Sequence, residues 1–98
     1  MDRDTAIGIL RANEPDLRRL GVRHAALFGS VARGEGHADS DLDVMIEIDR
    51  GIIRDVYDYV GITQYITGLF SMPVDVVSRD MLRPYIRPSA ERDAIHAF

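Results

Sequence analysis

The sequence predicts an α/β fold, a small mixed β-sheet with helices packed against it. Short apolar runs at residues 22–28, 41–48 and 72–78 have the length and composition of strands. Segments with apolar residues three and four positions apart precede the first run and separate the second from the third. At 98 residues, 46% apolar and 29% charged, the chain suits one globular domain spanning residues 1–98.

Residues 4–12 read as a helix, with Asp4 or Thr5 near its start and Ile7, Ile9 and Leu10 as its apolar positions. Asn13-Glu14-Pro15 restarts a second short helix, Pro15 to Leu20, with proline in the first turn and Gly21 as its stop. The first strand, Val22 to Phe28, places Val22, Ala26 and Phe28 on one face and Ala25 and Leu27 on the other. It is apolar at every position after His24, which predicts a central strand. Residues 35–40 form a polar loop, and the second strand, Asp41 to Ile48, ends near Asp49-Arg50-Gly51. A helix from about Arg54 to Phe70 carries Val56, Tyr59, Thr63, Ile66 and Phe70 on one face, with Ile62 and Leu69 beside them. The third strand runs from Met72 to Ser78, with Pro73 near its start, where a missing N–H is tolerated. From Arg79 to Pro88 the chain is basic and broken by prolines, and Ser89 to His96 is expected to close it as a helix.

The chemistry gathers between Phe28 and Met45. In the second strand Asp41 and Asp43 share one face, and Leu42, Val44, Ile46 and Ile48 share the other. Two carboxylates so close repel each other unless one is protonated or a cation lies between them, which points to a divalent metal. Gly29 permits a tight turn, and Ser30 is placed to cap the short segment that follows it. Free N–H groups at such a turn suit phosphate oxygens, and Arg33 lies one turn further on. Asp75 interrupts Val74, Val76 and Val77, where a carboxylate is costly unless it is paired or metal-bound. Metal ligands and phosphate donors in one stretch point to metal-assisted phosphoryl or nucleotidyl transfer. Competing readings are solvated acids at Asp41 and Asp43, an ion pair from Asp75 to Arg79 or Arg83, and a solvated Arg33.

Gly29-Ser30, ten intervening residues and Asp41-Leu42-Asp43, with Val74-Asp75-Val76 later, resemble the signature of the nucleotidyltransferase superfamily related to DNA polymerase beta. The run from Gly29 to Glu35, followed by Ser40 to Val44, is similar to its minimal members, which are encoded beside HEPN-domain toxins. The resemblance implies a polymerase beta palm-like fold and transfer of AMP from ATP. It further implies that Asp41, Asp43 and Asp75 hold two Mg²⁺ ions, with Mn²⁺ as a substitute. In that scheme Asp75 accepts the acceptor's proton, Gly29 and Ser30 cradle the departing pyrophosphate, and Arg33 neutralises it. The implied partner is a cognate HEPN ribonuclease toxin, adenylylated on a tyrosine and so neutralised. Two alternatives stand beside this: an antitoxin that acts by binding alone, and a small-molecule nucleotidyltransferase of the aminoglycoside type.

Composition excludes several other classes. The net charge of −4 argues against stable nucleic-acid binding, which needs a basic footprint. No apolar run approaches the roughly 20 residues of a membrane span, and the first ten residues are not a secretion signal. The absence of cysteine removes disulfides and thiolate metal sites and agrees with a cytoplasmic location. His24, His37 and His96 do not fall at metal-ligand spacings, and His37 is expected to be solvated in the loop over the site. Tyr57, Tyr59 and Tyr65 are expected to pack in the core and at its rim. The arginines at 79, 83, 87 and 92 form either a solvated face or a contact for an acidic partner.

Overall fold

The computed structural model describes residues 1–36 and 40–98. Helix α1, Arg3–Ala12, begins under Asp2, whose side chain accepts the Thr5 N–H at 2.7 Å. This cap lies two residues ahead of the expected start. Helix α2, Glu14–Leu20, ends at Gly21, whose φ of +111° supplies the left-handed cap. Strand β1 spans Val22–Phe28 and is followed by the single turn α3, Gly29–Ala32. Next come strand β2, Leu42–Ile48, helix α4, Val56–Gly68, and strand β3, Val74–Ser78. A 3-10 turn at Arg79–Met81, helix α5, Arg87–Asp93, and a short strand β4, Ile95–His96, complete the chain.

The strands form a mixed sheet in the order β3-β2-β1-β4. β1 pairs antiparallel with both β2 and β4, whereas β2 and β3 run parallel and α4 provides the crossover between them. The central position expected for β1 is what the sheet shows. One face carries Ala25, Leu27, Val44 and Ile46, which bury against Leu10, Leu17, Ile62 and Ile66 of α1, α2 and α4. The opposite face carries His24, Ala26 and Phe28 of β1 across from Glu47, Met45 and Asp43 of β2. Helix α5 covers part of it.

Four features depart from the sequence expectation. A register shift between Val22 and His24 inserts an extra residue, so Val22 joins Ala25 and Leu27 on the helical face instead of Ala26 and Phe28. Helix α4 starts at Val56 under the Asp55 cap, and at that edge Val56 is 65% exposed; Tyr57 beside it is exposed as well. The closing helix ends at Asp93, because residues 95–97 pair with β1: the Ala97 N–H donates to the Ala25 carbonyl at 2.8 Å. Finally, β3 lies at the sheet's edge, so Asp75 is exposed to solvent and does not sit within a buried strand. Tyr59 and Tyr65 pack at the core's rim as expected, with the Tyr65 hydroxyl donating to Asn13 Oδ1 at 3.0 Å.

Candidate active site

At the end of β1 the chain must turn inside a crowded corner. Gly29 has φ of +75°, in the left-handed region that favours glycine. A Cβ at this position would overlap the Asp43 carboxylate, which lies directly against the turn. Backbone conformation and lack of space thus select glycine independently. The turn continues into α3, whose cap is Phe28 in extended conformation, with no side-chain hydrogen bond. Ser30 therefore does not cap this segment as expected; it sits inside the helical turn, and its hydroxyl is not used at the cap. The far end of α3 is tied down by Arg3, whose Nη1 donates to the Ala32 carbonyl at 3.2 Å.

The sheet brings two of the three predicted carboxylates face to face. Asp43 on β2 is in register with Asp75 on β3 and, on its other side, with Phe28 on β1. The Leu42 N–H, donating to the Pro73 carbonyl at 3.0 Å, sets this register from below. Asp41 immediately precedes the strand, which begins at Leu42 and not at Asp41. Its charge is nevertheless felt at Asp43. Asp43 is partly buried, and Asp41 and Asp75 are exposed. Burial first, then the charges of Asp75 and Asp41, push the Asp43 carboxyl above its ordinary range, while nearby Arg33 pulls it back.

Arg33, at the C-terminal cap of α3, binds Glu35 at 3.1 Å and Asp93 of α5 at 3.0 Å. These carboxylates hold its guanidinium firmly protonated. The arginines offered as partners for Asp75 are engaged elsewhere. Arg79 reaches Glu47 at 2.6 Å and Glu91 at 2.7 Å, and Arg83 donates to the Tyr85 hydroxyl at 3.1 Å. Among the described residues Asp75 has no ion pair. His37 lies outside the described residues. His24 faces Glu47 at 3.8 Å, away from the carboxylate pair.

Sequence reasoning missed two things here: the Asp93 tie from α5 to Arg33, and the Glu47–Arg79–Glu91 cluster lower on the same sheet face. For Glu47 a signal existed, because alternation from Asp43 through Met45 puts it on the site's face. Asp93 had none, since its neighbour is sixty positions away in the chain.

The donors suit a hard cation. They are all oxygens, they repel one another, and the partly buried member is already pushed toward protonation, a strain that a bound cation relieves. Among the described residues no three His, Asp or Glu side chains form a ready-made cage. Magnesium in general binds through one or two carboxylates together with substrate phosphates.

Residues 9–96 match the family described as Nucleotidyltransferase domain. The chain is 32% identical over 89 residues to the protein adenylyltransferase MntA of Thermococcus cleftensis, a match covering 90% of this chain and 88% of that one. A solved candidate minimal nucleotidyltransferase superposes with a TM-score of 0.72 at 35% identity, over 97% of this chain and 95% of that one. A toxin–antitoxin complex solved with AMP-PNP shares the fold, with a TM-score of 0.67 at 19% identity, over 100% of this chain and 73% of that one. Fold, motif spacing and relatives agree: the chain belongs to the nucleotidyltransferase domain family, at the scale of its minimal members.

Proposed function

We propose that this protein is a cytoplasmic antitoxin that transfers AMP from ATP to a tyrosine hydroxyl of a HEPN ribonuclease toxin and thereby silences it. The observation that carries the reading is the cross-strand pair Asp43–Asp75, whose Asp43 lies against the Gly29 turn. Support for a protein acceptor comes from the relative named a protein adenylyltransferase, which this chain matches over most of both lengths. Among the described residues no helix is long and apolar enough to cross a membrane.

In the reaction the tyrosine oxygen attacks the α-phosphorus of ATP and forms the new O–P bond. The bond from the α-phosphorus to the bridging oxygen breaks, and pyrophosphate leaves with the electron pair. Asp75, exposed at the sheet's edge, is open to an incoming acceptor and takes the phenolic proton. Asp41, Asp43 and Asp75 would hold magnesium, whose charge when bound offsets that developing on the attacking and leaving oxygens. Gly29 brings backbone N–H groups close to the pyrophosphate, and Ser30 adds its hydroxyl. Arg33 exchanges Glu35 and Asp93 for phosphate oxygens, keeping its charge throughout.

The test is incubation with labelled ATP, magnesium and the product of the adjacent gene, followed by intact-mass measurement. Label and added mass on a tyrosine of the partner are expected. A partner that stays unmodified while being fully inhibited would make this an antitoxin of the binding type.

A further inference from the structure

Arg33 caps the C-terminal end of the turn α3, and two carboxylates meet it there. Its Nε donates to Glu35 Oε2 at 3.1 Å, and its Nη1 donates to Asp93 Oδ2 at 3.0 Å. The two acids differ in origin and in shelter. The Glu35 side chain, two residues on in the same loop, is 65% exposed, whereas that of Asp93 arrives from α5 and is 26% exposed. Asp93 is thus the more sheltered anion, and the one that ties Arg33 to a second element. The charge of Arg33 is also felt at Asp43, so the guanidinium lies within electrostatic range of the carboxylate pair.

A guanidinium binds an oxyanion best through parallel N–H groups on one edge of its fork. One such edge is made by Nε and Nη2, the other by Nη1 and Nη2. Glu35 holds a donor of the first and Asp93 a donor of the second. A phosphate that takes Arg33 along either edge therefore competes with a carboxylate. Displacing Glu35 is felt within its own loop, but displacing Asp93 is felt in α5. The rest of α5 is held independently: Glu91 accepts from Arg79 at 2.7 Å and from Arg87 at 3.0 Å, and Ala90 is buried. Loss of the Asp93 tie is therefore confined to the last turn, residues 91–93, and to Ala94 after it.

We propose that Asp93 is a positioning residue that stands in for phosphate at Arg33, and that a bound triphosphate frees the last turn of α5 by taking its place. The inference rests on the proposed function, in which Arg33 takes phosphate oxygens. Before substrate arrives, Asp93 keeps the guanidinium neutralised and pointed across the end of α5, at some expense in affinity. Once it is displaced, occupancy of the site is written into the helix. The exposed Arg92 lies on the freed turn, so an acceptor protein meets a different α5 surface when ATP is bound.

Calorimetry with magnesium and ATP, on wild type, Asp93→Asn, Arg33→Ala and the double variant, tests the competition. Asp93→Asn should bind ATP about two- to fivefold tighter, the range in which one exposed ion pair acts, and the gain should shrink as salt rises. In the Arg33→Ala background the same substitution should change nothing. A gain that persists there reports only the removal of a negative charge and overturns the proposal, as does an Asp93→Asn affinity equal to that of wild type. Amide hydrogen exchange on the wild-type chain gives a reading that needs no variant. Saturating inorganic tripolyphosphate with magnesium is the probe, because it has no nucleoside to touch α5. Exchange at residues 91–94 should quicken while that at 87–90 stays as it was. Unchanged exchange at 91–94 overturns the proposal even if Asp93→Asn misfolds. In each of these failures, ATP binding by wild type that Arg33→Ala weakens leaves the proposed transfer standing. Failure of wild type to bind ATP at all overturns the proposed function, and this inference with it.

Discussion

Replacing Gly29 by alanine adds a methyl where the Asp43 carboxylate already lies and holds a side-chain residue at φ of +75°. The left-handed backbone alone costs roughly 1–2 kcal/mol, and Asp43 must move as well. A lower melting midpoint together with lost nucleotide binding is therefore expected for Gly29→Ala. Asp43→Asn should behave oppositely in stability. Burial, then Asp75 and Asp41, raise the Asp43 pKa on folding, so the folded chain holds that proton more tightly than the unfolded chain does. This stabilisation is complete below the unfolded pKa and is lost as pH rises through the folded one. Near pH 7, without metal, the ionised carboxylate is thus a cost, and Asp43→Asn should melt at an equal or higher temperature. The gain should shrink as pH falls through the raised folded pKa and be gone below the ordinary carboxylate value of 3.8. Melts of both proteins across that range, without metal, check the sign. Ser30→Ala and Arg33→Ala should each fold and slow transfer by on the order of 10²-fold, as loss of an oxyanion donor does. Single-turnover rates with the partner protein are the measure.

Strand β3 is the element on which catalysis and stability separate most cleanly. Asp75 sits exposed on this edge strand, opposite Asp43, with no ion pair among the described residues. Asp75→Asn should leave the melting midpoint unchanged or slightly raised, because it removes one repulsion. ATP affinity should largely persist while AMP transfer falls by orders of magnitude. Calorimetry and transfer rates on a single preparation test this, and a destabilised protein with near wild-type transfer would refute it. The same strand shows where sequence reasoning stops. That Val74, Val76 and Val77 form a strand is a local property, legible from β-branched residues. Whether that strand is central or at an edge depends on pairing with residues far away, so the exposure of Asp75 was not legible. Strand β4 escaped for a related reason: two residues carry no periodicity, and their pairing relies on backbone groups of Ala25 and Ala97. The shift at Val22 was invisible too, because alternation presumes an unbroken ladder. The glycine turn and the nearness of Asp75 to Asp43 were legible, because residue type and spacing mark them.

Across the whole molecule, ion pairs tie α5 to the site beside its one buried apolar side chain, Ala90. Arg33 links α3 to Asp93, and Arg79 links β2 to Glu91. Exposed pairs of this kind contribute roughly 0–1 kcal/mol each, so α5 should be the most easily released helix. Amide hydrogen exchange at residues 87–93 should accelerate with added salt, while β1 and β2 stay protected. The parallel pairing of β2 with β3 has a different consequence. The connection from β1 to β2 is shorter in sequence than that from β2 to β3, and β3 reaches β2 only when the whole α4 crossover has closed. Contacts that span more chain are slower to form, because more loop entropy must be lost first. The Asp43–Asp75 pair is therefore assembled late. A chain that ends after α4 carries the glycine turn and Asp43 yet lacks Asp75, and under the proposed function it is expected to be inert. In the proposed mechanism, which requires Asp75, competence for transfer would thus report that synthesis has passed β3.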